Sequence, residues 1–85
     1  MHTYKAAYQF INGSVHAKVL DFPGAATSGA NMHDARQRLA SVLLDLAILC
    51  EERGEPLPVP DPSLTDPDAD IEEPLHLSSF GLCGG

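Results

Sequence analysis

The dipeptide Asn12-Gly13, set between two stretches of alternating apolar and polar residues, constrains this chain more than any other feature. A two-residue hairpin loop of type I′ needs positive φ at both central positions, which Asn followed by Gly adopts at least steric cost. Before it, Tyr4, Ala6, Tyr8 and Phe10 alternate with Thr3, Lys5, Ala7 and Gln9; after it, Val15, Ala17 and Val19 alternate with His16 and Lys18. A two-residue turn sets Phe10 opposite Val15, Tyr8 opposite Ala17 and Ala6 opposite Val19 on one face. Gln9 opposite His16 and Ala7 opposite Lys18 then share the other face. Turn chemistry and alternation agree on this register, and a slip of one residue would carry Lys18 to the core side.

Phe22-Pro23-Gly24 breaks the second strand, and residues 25–28 leave room for a short third one, ended by Gly29. Asn31 is a favourable N-cap, with Asp34 near the positive end of the helix that follows. Apolar residues recur at helical spacing through Met32, Ala35, Leu39, Val42, Leu43, Leu46, Leu49 and Cys50, and Arg53-Gly54 supplies the stop. That predicts a helix of about six turns with a buried arc centred on Leu39. Leu44 and Ile48 fall on the opposite side, among Gln37, Ser41 and Asp45. Single exposed aliphatics are ordinary. Two large ones at i and i+4 in so small a chain predict a second contact, an oligomer interface at Leu44 and Ile48.

Pro56, Pro58, Pro60, Pro62 and Pro67 then predict a stiff, extended connector over residues 55–73, acidic in its second half. Residues 74–79 read as a last short strand, with Leu75 and Leu77 on one face and His76 and Ser78 on the other. Residues 80–85 form a Gly-rich tail expected to be flexible. The order β-β-β-α-connector-β is that of an α+β domain over residues 1–79, an antiparallel sheet packed against one long helix.

At 85 residues the chain makes one small domain, which leans toward self-association because no staple such as a disulfide framework is evident. Cys50 and Cys83 lack metal-site spacing, and a free, buried thiol is expected at Cys50. No apolar run is long enough for a signal peptide or a membrane span, so a cytoplasmic protein is expected. All five basic side chains (Lys5, Lys18, Arg36, Arg38, Arg53) lie within residues 1–54, balanced there by five acidic ones; residues 55–85 add seven carboxylates and no Lys or Arg. The net charge of −7 thus belongs to the C-terminal third. Nucleic acid, whose phosphates need cations, is a poor partner for such a surface, and a basic protein is a suitable one.

The series Asp21-Phe22-Pro23-Gly24, Thr27-Ser28-Gly29 and a capped helix ending in Glu52-Arg53-Gly54-Glu55-Pro56-Leu57-Pro58 closely resembles the HicB-like family, antitoxins of type II toxin–antitoxin pairs. The resemblance covers about residues 3–79. It implies a degenerate RNase-H-like β-β-β-α-β fold and self-association as a dimer or tetramer. It also implies inhibition by docking on HicA, a small basic RNA-cleaving toxin. Many members add a C-terminal DNA-binding helical motif. Here only the Gly-rich tail follows the last strand, so no direct nucleic-acid binding is expected.

Catalysis is not expected either. An RNase-H-like nuclease needs carboxylates converging on Mg²⁺, one normally on the first strand, and residues 3–11 contain none. His2, His16, His33 and His76 have no ligand spacing, and Asp66, Asp68 and Asp70 lack the Gly and distal Glu of a calcium loop. No cofactor or metal is expected. Asp66, Asp68, Asp70, Glu72 and Glu73 are instead the candidate partner-binding residues, by attraction of a basic surface. Two other readings stand beside this one. The chain could be a stand-alone homo-oligomer with no toxin partner. It could also be a ThiS/MoaD-like sulfur carrier using Gly84-Gly85, for which the proline-rich acidic stretch is out of place.

Overall fold

A computed structural model of the chain describes residues 2–77. The strands are β1 (His2–Ile11), β2 (Ser14–Val19), β3 (Ala26–Gly29) and β4 (Ile71–Leu77), with one helix, α1 (Met32–Arg53), between β3 and β4. All strand pairs are antiparallel, in the order β3-β2-β1-β4. The fold class is the one expected.

The hairpin forms in the register the turn dictates, with Phe10 opposite Val15, Tyr8 opposite Ala17 and Ala6 opposite Val19. Asn12 and Gly13 have φ of 50° and 82°, the positive pair a type I′ turn requires. β3 is displaced by one residue from the expected 25–28, and Gly29 is its last member. A Cβ at Gly29 would stand 2.6 Å from the Ala35 nitrogen, so only glycine lets the first helical turn pack this close to the sheet.

Both ends of α1 are capped as the residue types suggest. The Asn31 side chain accepts the Asp34 N–H at 2.8 Å, and the Asp34 carboxylate accepts the Ala30 N–H at 3.0 Å. At the other end Gly54 is left-handed, and N–H groups of Gly54 and Glu55 return to the carbonyls of Glu51 and Cys50 at 3.1 and 2.8 Å, the Schellman pair. The buried helix face is Ala35, Leu39, Leu43 and Ala47, an i, i+4 row against Tyr4, Ala6, Tyr8, Val15, Ala17 and Val19. Ala47 takes the place expected for Leu49, which stays exposed. Phe22 closes the core beside Tyr4, ring edge to face at 6.0 Å.

β4 begins three residues earlier than expected, at Ile71 rather than Pro74. The reason lies in the backbone of Lys5, whose carbonyl accepts the Leu20 N–H at 3.0 Å on the β2 side. Lys5 and its cross-strand partner Pro74 therefore form a pair without mutual hydrogen bonds, and the missing proline donor faces outward from an edge strand. Pro74 thus sits mid-strand at no cost to the ladder, and it denies the free edge a donor.

Candidate partner-binding surface

The segment from 55 to 70 is not a tether outside the fold. It starts on the core side, where Leu57 packs, and from Pro62 onward crosses the face of the sheet opposite α1. The Tyr4 hydroxyl donates to the Pro58 carbonyl at 2.7 Å, and the Asp61 N–H donates to the Asp21 carboxylate at 2.8 Å. Lys5 Nζ donates to the carbonyls of Pro62 and Leu64, at 3.0 and 2.6 Å. Lys18 Nζ meets the Asp66 carboxylate at 2.9 Å. Lys5, Ala7, Lys18 and Glu72 share this outer face by register, so the connector lies over the residues expected to face water. Ala7 records the consequence: it is 2 % exposed.

The five candidate carboxylates do not form one surface. Glu72 and Glu73, adjacent in β4, point to opposite sides of the sheet because side chains alternate along a strand. Glu72, on the outer side, accepts the Asp66 N–H at 2.8 Å and the Thr65 hydroxyl at 2.7 Å, which together hold its carboxyl below the usual range. Glu73, on the helix side, pairs with Arg36 at 2.7 and 3.1 Å and is held low by that guanidinium. It also accepts from Tyr8, whose hydroxyl is pushed up to about 12, first by burial and then by the neighbouring Glu73 charge. Asp66 is held low by Lys18 and by the Asp68 N–H. Asp70 accepts the Phe10 N–H at 2.8 Å while its own N–H donates to the Tyr8 carbonyl, extending β1–β4 pairing beyond the ladder. Asp68 alone of the five is exposed with no side-chain partner among the described residues.

Leu44 and Ile48 are also separated. Leu44 is half-buried and packs against the core, whereas Ile48 is 37 % exposed. Its exposed neighbour is Leu49, at 40 %. Phe10, paired as expected, remains 51 % exposed because it lies beyond Ile71↔Tyr8, the last pair of β1 with β4. A half-open cleft of about 630 Å³ lies where the connector passes the open end of the hairpin, lined by Tyr4, Lys5, Asp21, Pro60, Pro62 and Pro74 among others.

The architecture has solved counterparts. The N-terminal domain of the Burkholderia pseudomallei antitoxin HicB superposes with a TM-score of 0.76 over 89 % of this chain and 98 % of that domain, at 16 % identity. The fold is HicB-like. Full-length HicB of the same organism matches with a TM-score of 0.78 over 94 % of this chain, again at 16 % identity, and this chain spans 66 % of its length. No family model matches the sequence, and no curated protein does. The β-β-β-α-β order is that of the shared fold.

Among the described residues no group of three or more His, Cys, Asp or Glu side chains is placed to hold a metal ion, and no helix is long and apolar enough to cross a membrane. Cys50 is free and half-buried. Ser78 and Ser79 of the expected last strand, the tail 80–85, Cys83 and the Gly84-Gly85 pair that prompts the sulfur-carrier reading all lie outside the described residues.

Proposed function

We propose that this domain is an antitoxin-type binding module that docks on a small basic toxin of the HicA kind and neutralises it. The observation that carries the reading is the HicB-like fold, shared over 89 % of the chain with the N-terminal domain of an antitoxin. The net charge of −7, concentrated after residue 54, agrees with a basic partner. Of the five candidate carboxylates all but Asp68 are occupied within the chain, so they act on such a partner mainly through their field rather than by direct contact. Complementary charge of that kind raises the association rate, and salt screens it over roughly 8–10 Å at physiological strength.

The test is co-expression with a HicA-type toxin encoded beside this chain, followed by biosensor kinetics on the purified pair. Relief of toxin-induced growth arrest, and a complex whose association slows as salt rises, are the expected results. No complex at micromolar concentrations, with the toxin fully active in its presence, removes the reading.

A further inference from the structure

Most of the acidic residues that this fold leaves unused lie in or beside the C-terminal half of α1; in the acidic run 66–73 Asp68 alone is left over. Asp45, Glu51, Glu52 and Glu55 are exposed and make no ion pair or side-chain hydrogen bond among the described residues. Glu51, Glu52 and Glu55 also crowd the C-terminal end of α1, where the helix dipole favours cations and only Arg53 supplies one. Folding gains nothing from that arrangement. The same half of the helix carries Ile48 and Leu49, exposed by 37 % and 40 %. Asp45, Ile48, Leu49 and Glu52 are spaced i, i+3, i+4 and i+7, so they share one arc of about 100°, turned away from the Ala35–Leu39–Leu43–Ala47 row that meets the sheet.

Both sheet edges are partly blocked against extended backbone. Pro74 removes a donor from the β4 edge. At the β3 edge the Ala26 N–H returns to Gly24, and the Ala30 N–H is taken by Asp34. The connector lies over the β1 part of the outer sheet face. We infer that the contact surface for the basic partner is the outer face of the C-terminal half of α1, with Ile48 and Leu49 as the apolar centre and Asp45 and Glu52 as the flanking charges. The inference rests on the antitoxin-type reading and adds the place of contact. A second copy of this chain is the weaker occupant. A two-fold contact centred on Ile48 would set Asp45 and Glu52 of one copy against the same carboxylates of the other.

Two variants and a control test this against the HicA-type toxin encoded beside the chain, by biosensor kinetics and light scattering, with circular dichroism to confirm helix content. Ile48→Gln with Leu49→Gln keeps helix-forming residues at exposed positions and is expected to weaken the complex about tenfold or more, mainly through faster dissociation. Asp45→Asn with Glu52→Gln is expected to slow association severalfold and to flatten its salt dependence. The connector control Asp68→Asn is expected to leave both rates within about twofold. Wild-type binding that both helix variants leave unchanged overturns this inference and spares the antitoxin reading. Absence of wild-type binding overturns both. A wild-type dimer that the Ile48→Gln/Leu49→Gln variant splits reassigns the surface to a second copy and also overturns the inference.

Discussion

The β1–β2 hairpin and the 55–70 connector are both extended chain, and both end up against the same central strand, yet they are held by different means. The hairpin is a ladder of backbone bonds between residues close in sequence, with its apolar side chains under α1. The connector, interrupted by proline, cannot form a ladder. Its fixed points are side chains reaching its backbone, or its backbone reaching side chains: Tyr4 to Pro58, Lys5 to Pro62 and Leu64, Asp61 to Asp21, and Asp66 to Glu72. A regular segment is thus specified by pattern, and an irregular one by single polar residues far away in sequence. The second kind of attachment is weaker per residue and depends on charge.

The largest expected difference follows from the core. Tyr8→Ala removes a ring that is 1 % exposed beneath α1, and should cost about 3–5 kcal/mol in urea unfolding. A loss below the cost of an ordinary surface change would show that the hairpin is not the stable half of the comparison. Gly13→Val comes next. Space is open around its Cβ, so the penalty is conformational only, about 1–2 kcal/mol for an L-residue held at φ 82°. Stability equal to the parent would mean the turn does not set the register.

Tyr4→Phe tests the other side of the comparison. It leaves the ring in the core and strands the Pro58 carbonyl, for a loss of about 1 kcal/mol. Amide exchange should accelerate in the connector and not in the β1–β2 ladder; equal acceleration in both would erase the distinction. The smallest effect is that of acid. Asp61, Asp66 and Glu72 are all held below their ordinary values of 3.8 and 4.5 by the hydrogen bonds they accept, so each favours the folded arrangement above those values. That contribution fades as pH falls through the lowered folded values. Exchange measured on descending below pH 4.5 should therefore show connector amides losing protection before hairpin amides; simultaneous loss would assign the connector to the cooperative core.

Several features of the candidate surface were hidden from a linear reading. The acidic run 66–73 looks like one block of charge, but strand periodicity sends Glu72 and Glu73 to opposite faces, and Asp66 and Asp70 are absorbed by Lys18 and Phe10. Leu44 and Ile48 look like one apolar pair, but the first packs against the core and the second stays exposed. The one signal available in the sequence was the pairing of exposed aliphatics with Asp45, Glu51 and Glu52, at a helix end where acidic residues are electrostatically misplaced.

What depends on neighbours a few residues apart can be read directly from the chain. Asn12-Gly13 with its flanking alternation set the hairpin register, and Asn31, Asp34 and Gly54 set the helix ends. In each case the deciding forces are local sterics and hydrogen bonds that no distant contact overrules. The fold as a whole decided where β4 begins, because Pro74 is acceptable there through the direction in which the Lys5 carbonyl points. It also decided that Ala7 is buried and that Asp66 and Asp70 are spent within the chain. Those outcomes depend on which residues, more than forty positions apart, are brought within about 3 Å of one another, and no local pattern carries that distance.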